Sequence, residues 1–131
     1  MKGAGASQDA LVVDDEVEVA SFVAEILRDE GYHVRVQHDG ASALVEIVRR
    51  PPALLLLNVA MPVMIGDELL RYLRRNAFAD LPVIIMTASL QPEKYRLYGA
   101  TDVLPKPFDI DELVGVMEQY APIPPHTPTR A

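Results

Sequence analysis

The segment Ala53–Leu57 is an unbroken apolar run, closed in front by Pro51 and Pro52 and behind by Asn58. Such a run has no polar face to give to water. It predicts a strand covered on both sides, the situation of a central strand in a parallel sheet. Leu81–Met86 repeats the pattern and ends at Thr87, and a shorter run, Ala10–Val13, ends in Asp14, Asp15 and Glu16. Parallel strands need long crossovers, usually helices, and the intervening segments have helical period. Val19, Phe22, Val23, Ile26 and Leu27 fall at i, i+3, i+4, i+7 and i+8 before Gly31, which predicts an amphipathic helix with a glycine stop.

The remaining segments extend the alternation. Tyr32–Gln37 alternates as a strand does; Asp39 then stands as an N-cap before Ala41, Leu44, Ile47 and Val48 on one helical face. A loop over Val59–Gly66 leads to a helix carrying Leu69, Leu70 and Leu73. Residues 91–98 allow at most a short helix, and Thr101–Leu104 a last strand. Asp109 and Glu112 form a D-x-x-E capping box before Ile110, Leu113, Val114 and Met117. Strand and helix thus alternate five times, which predicts a parallel sheet with helices on both faces. Residues 9–120 form one expected domain, between a disordered N-terminus at 1–8 and a proline-rich tail or linker at 121–131.

Composition narrows the function classes. At 131 residues the chain suits one domain, and 50% apolar with 24% charged residues suits a globular one. Twelve Lys and Arg against 19 Asp and Glu give a net charge of −7, which leaves no broad basic face for nucleic acid or a membrane surface. The absence of cysteine excludes disulfides, thiolate metal sites and a cysteine nucleophile. Met1–Asp9 has no apolar core of signal-peptide length, and no apolar run reaches the ~20 residues that span a bilayer, so a cytoplasmic location is expected.

In such sheets the site lies beyond the carboxyl ends of the strands. Those ends bring Asp14 and Asp15, then Asn58, Thr87 and Lys106, to one rim. Taken singly each is bland: the acidic run as a helix start, Thr87 as a strand-end hydroxyl, Lys106 as a surface charge. Their convergence is the functional signal. Met61 and Met64 suit only a soft metal and read as loop packing, and His33, His38 and His126 lack metal-ligand spacing. Leu44, Ile47, Leu69 and Val114 read as core, and Arg71, Arg74 and Arg75 as a solvated helix face open to an acidic partner.

Four pieces, V-V-D-D-E at 12–16, N-V-A-M-P-V-M-I-G at 58–66, M-T-A at 86–88 and L-P-K-P-F at 104–108, resemble in order and spacing the receiver domain of two-component response regulators. The resemblance implies a flavodoxin-like (βα)5 sheet in the order 2-1-3-4-5 and a role in phosphorelay signalling by protein contact, not as a free-standing enzyme. It implies Mg²⁺ held by Asp14 and Asp15 with the side chain at 58 and the carbonyl of Ala60. Lys106 would pair with a phosphoryl group and Thr87 would move onto it; the Lys106–Pro107 peptide would be cis. A histidine kinase or phosphotransfer protein, an effector domain or protein, and a second copy of the chain are the implied partners.

Three departures qualify that picture. The phosphoacceptor position is Asn58, whose amide lacks the anionic oxygen that attacks phosphorus, so no acyl phosphate is expected there and Mg²⁺ should bind more weakly. Where the family has an aromatic, three residues before the lysine, this chain has Val103. Thr87 and Lys106 are 19 positions apart, a few fewer than usual in the family, and Pro92 falls between them.

Two origins account for Asn58, a naturally degenerate receiver or a blocking substitution in a working one. Val103 and the shortened segment favour the first; intact Asp14, Asp15, Thr87 and Lys106 favour the second. A phosphate-independent interaction module is an alternative reading. So is a haloacid-dehalogenase-like phosphatase, which needs D-x-D where residues 14–16 read D-D-E.

Overall fold

The computed structural model describes residues 8–59 and 66–123. Along the chain run β1 (Asp9–Val13), α1 (Val17–Asp29), β2 (His33–Gln37), α2 (Gly40–Arg49), β3 (Leu54–Asn58), α3 (Gly66–Arg75), β4 (Val83–Thr87), α4 (Lys94–Leu97), β5 (Asp102–Pro105) and α5 (Ile110–Tyr120). The five strands form one parallel sheet in the order β2-β1-β3-β4-β5, the flavodoxin-like arrangement. The expected residues 1–7 and 124–131 of the chain ends, Ala60, Met61 and Met64 of the loop, and His126 lie outside the described residues.

Register and period two divide the core. Val12 aligns with Leu56 and Leu56 with Ile84, so alternate residues of each strand share a face. Ala10, Val12, Leu54, Leu56, Ile84, Met86 and Leu104 meet α1 and α5; Leu11, Val13, Leu55, Leu57, Val83, Ile85 and Val103 meet α2, α3 and Tyr95 of α4. The four leucines of β3 are fully buried, each worth roughly 2 kcal/mol of transfer from water. Edge strand β2 is held by charge: Arg35 reaches Asp9 and Glu46 at 2.7 Å each. The hydrogen bond from Arg35 is the main reason the Glu46 carboxyl sits below its usual range.

Helix ends follow the sequence chemistry. The Asp39 side chain accepts from the Ser42 amide at 2.7 Å, and the Asp109–Glu112 capping box is closed in both directions. Gly31 ends α1 at φ +103°, a conformation that L side chains rarely adopt.

The buried stripes differ from those the spacing predicts. In α1 it is Ala20, Val23, Ala24 and Leu27 that are buried, while Phe22 is 54% exposed. Two alanines let the helix lie close to the sheet, and Phe22 falls off that line. In α2, Ala43 and Ile47 are buried, Leu44 packs at the margin, and Ala41 and Val48 face out. In α5, Leu113 and Met117 are buried; Val114 is only partly covered and Ile110 is exposed. Past α5 the chain stays on the domain: the Tyr32 hydroxyl donates to the Ala121 carbonyl at 2.9 Å, and Ala121 and Ile123 join the α1–α5 core.

Candidate functional site

The sheet's carboxyl edge collects the polar groups that apolar strands carry to it. Asp14 and Asp15 follow β1, Asn58 ends β3, Thr87 ends β4, and Lys106 follows β5, joined to Pro107 by a cis peptide. The backbone braces the rim: the Asp14 amide donates to the Gln37 carbonyl at 3.1 Å, and the Lys106 amide to the Thr87 carbonyl at 2.7 Å. Asp14, Asn58 and Thr87 are buried; Asp15 is exposed. An open cleft of about 410 Å³ lies over Asp15, Asn58, Thr87 and Lys106, with Glu16, Val59 and Ala88 completing its wall.

Asn58 organises the interior of this cleft. Its Nδ2 donates to Asp14 Oδ1 at 3.0 Å and to Asp15 Oδ1 at 3.2 Å. Ionised carboxylates only accept, so an amide nitrogen between two of them satisfies both, where a third carboxylate would repel them. Asp14 Oδ1 also accepts the Glu16 amide at 3.0 Å. Among the described residues Asp14 Oδ2 is buried without a hydrogen bond, and Lys106 Nζ lies 3.5 Å from it, an ion-pair distance. Lys106 also lies 3.9 Å from Glu16 Oε1. Thr87 Oγ1 accepts the Ser89 amide at 2.9 Å, which ties its side chain to the start of the next turn.

The geometry thus brings together Asp14, Asp15, Asn58, Thr87 and Lys106, and keeps Val103 apart. Val103 is 8% exposed and packs on the α2–α3 side of the sheet in the same core as Leu81 and Tyr95. Two neighbours were not singled out in the sequence. Glu16 reaches Lys106, a contact its place beside the acidic pair hints at. His38 sets Nδ1 2.9 Å from the Asp14 carbonyl oxygen, a contact across 24 residues with no local signal.

Oxygen donors of Asp14 and Asp15, with an oxygen-bearing side chain at 58, suit a hard divalent cation, and the unbonded Asp14 Oδ2 is the kind of atom such an ion would satisfy. Among the described residues, no group of three or more His, Cys, Asp or Glu is arranged to hold a metal. The donor set therefore fits Mg²⁺ with one charge fewer than three carboxylates would supply.

Residues 10–118 match the family model of the response regulator receiver domain. The chain belongs to this family. It is 41% identical over 110 residues to the response regulator MprA of Mycobacterium avium, an alignment that covers 82% of this chain and 48% of that protein. The chain thus spans about half the length of the curated relatives it matches. Among solved structures, a putative response regulator from Chloroflexus aurantiacus superposes with a TM-score of 0.83 at 31% identity, covering 87% of this chain and 97% of that one. The chemotaxis response regulator CheY4 of Vibrio cholerae gives 0.81 at 30% identity, covering 87% and 98%. Receiver domains are two-component signalling modules, and this membership leaves no place for the haloacid-dehalogenase-like alternative. Among the described residues no helix is long and apolar enough to cross a membrane.

Proposed function

We propose that this receiver does not take a phosphoryl group at position 58 and works through protein contacts. One observation carries the reading: the residue at the end of β3 is Asn58, with its amide nitrogen directed at both Asp14 and Asp15. An amide has no anionic oxygen to attack phosphorus, and this one is engaged as a donor. Asp14, Asp15, the Asn58 side chain and the Ala60 carbonyl would hold Mg²⁺, more weakly than an acidic residue at 58 would allow. When bound, that ion neutralises negative charge on a phosphoryl group. Lys106 and Thr87 supply a cation and a hydroxyl at the same cleft, and Val103 is the residue that replaces the family's aromatic.

The partners in this reading are a histidine kinase or phosphotransfer protein, an effector domain or protein, and a second copy of the chain. A largely apolar groove beside the cleft, lined by Val19 and Phe22 of α1 with Lys106, Pro107 and Phe108, supports protein contact there. The test is intact mass after incubation with Mg²⁺ and a small phosphodonor, on the protein and on Asn58→Asp side by side. Mass gain in Asn58→Asp alone supports a complete pocket without its nucleophile. Gain in neither supports the second reading, a phosphate-independent interaction module, for which Val103 in place of the family's aromatic speaks. A stable phosphoryl adduct on Asn58 itself would sink both.

A further inference from the structure

The shortened segment between β4 and β5 reshapes one face of the domain. α4 is a single turn, Lys94–Leu97, followed by Gly99 at φ +108°. It leaves Leu90 98% and Leu97 87% exposed. Tyr98, also exposed, stands edge-on to Tyr95 with ring centroids 6.0 Å apart. From α3, Arg71 lays its guanidinium over the Tyr98 ring, 5.5 Å from the centroid. The two helices therefore present one continuous surface of aromatic, aliphatic and cationic groups.

Basic side chains concentrate here, with Glu68 and Glu93 among them. Arg71, Arg74, Arg75, Lys94 and Arg96 are five of the 12 Lys and Arg in a chain of net charge −7. Arg74 is consumed internally, donating to the Gly99 and Phe78 carbonyls, and Arg96 pairs with Glu93 and Asp102. Arg71, Arg75 and Lys94 form no ion pair among the described residues. The acids of α3, Asp67 and Glu68, sit in its first turn, where the helix dipole favours them, and Glu68 shares a groove with Arg71 and Arg75. An Arg stacked on a ring keeps its charge while losing part of its water, and Arg and Tyr are the residue types that most often anchor interfaces.

We propose that the α3–α4 face, centred on Arg71, Arg75 and Tyr98, docks an acidic segment of a partner protein that carries a bulky apolar side chain. The partner's carboxylates would meet Arg71, Arg75 and Lys94, and its apolar group would lie on Tyr98 and Leu97. Charge complementarity selects this occupant: the acidic remainder of the domain repels a negative segment and steers it here. None of the residues that line the Asn58 cleft belongs to this surface.

The test is a backbone NMR titration of the intact chain with two synthetic helical peptides that carry Leu at i, i+3, i+4 and i+7, one with Glu and one with Lys at the remaining positions. The Glu peptide is expected to shift amides of α3 and residues 94–98 saturably, to weaken as salt is raised, and to lose about ten-fold in affinity in Arg71→Glu/Arg75→Glu. Both arginines are exposed, so the variant should fold; Arg71→Gln gives a milder check if it does not. An equal response to the Lys peptide, shifts centred on the α1 groove, the absence of saturable shifts, or self-association of the chain through this face without peptide binding would each overturn the proposal.

Discussion

Asn58 Nδ2 lies 3.0 Å from Asp14 Oδ1 and 3.2 Å from Asp15 Oδ1, so one neutral side chain joins the two carboxylates that a cation would otherwise hold together. Asn58→Asp removes both donors and adds a third negative charge to the same rim. In the presence of a chelator this variant should lose roughly 2–3 kcal/mol of stability, since hydrogen bonds to charged groups are worth ~1.5–3 kcal/mol each and are not additive. Mg²⁺ should restore much of that loss while raising the unsubstituted protein's Tm far less. Calorimetry with and without Mg²⁺ reads both.

Lys106 answers the one buried side-chain oxygen that, among the described residues, is left without a hydrogen bond. With Nζ 3.5 Å from Asp14 Oδ2, Lys106→Met leaves a buried carboxylate oxygen without its cation. The expected loss is about 1–3 kcal/mol by urea unfolding. In the background of Asp14→Asn the same change should cost much less. Equal costs in the two backgrounds would show that Lys106 stabilises by packing its stem and not by charge.

Tyr120 and Asp102 set a pH dependence away from the cleft. Burial pushes the Asp102 carboxyl up, but hydrogen bonds from Tyr120 at 2.6 Å, the Val103 amide and Arg96 outweigh it and hold it below the usual range. The bond to Asp102, with burial second, raises the Tyr120 hydroxyl. A carboxyl lowered in the folded state contributes stability above its unfolded pKa near 4, lost as pH falls through the folded value; a raised phenol contributes stability below its unfolded pKa near 10, lost as pH rises through the folded one. Tyr120→Phe should therefore cost about 1 kcal/mol near neutrality and flatten both limbs of the stability curve. An unaltered acid limb would assign the carboxylate's stabilisation to Arg96 and the backbone.

Val103 packs in the core on the α2–α3 side of the sheet. It is 8% exposed and lies in a core with Leu81 and Tyr95, so Val103→Tyr must displace packed neighbours or turn out into solvent. The expected cost is about 1–3 kcal/mol by denaturant unfolding. A variant as stable as the parent would mean that the space for an aromatic is already there.

Much of this architecture is legible in the sequence because the strongest signals are local. The run Leu54–Leu57 specifies a doubly covered strand, and the polar residue after each apolar run marks the rim where Asp14, Asp15, Asn58 and Thr87 meet. What spacing cannot resolve is the centre of a helical stripe: Phe22 is more apolar than Ala20 or Ala24, yet the small residues are inside because α1 lies close to the sheet. Contacts between distant segments are equally silent. The His38 ring at the Asp14 carbonyl and the Tyr32 hydroxyl that catches Ala121 join residues 24 and 89 apart, and nothing near either residue announces its partner.

The most direct test of the central claim watches the Asn58 side-chain amide by ¹⁵N NMR while Mg²⁺ is added, with Asn58→Asp titrated in parallel through its backbone. If Asn58 occupies the cation's role, its NH₂ resonances and those of Asp14 and Asp15 should barely move at concentrations that saturate Asn58→Asp, with apparent affinities at least about ten-fold apart. Equal affinities, with the Asn58 amide shifting in step with the acidic pair, would contradict the account and restore position 58 to an ordinary metal site.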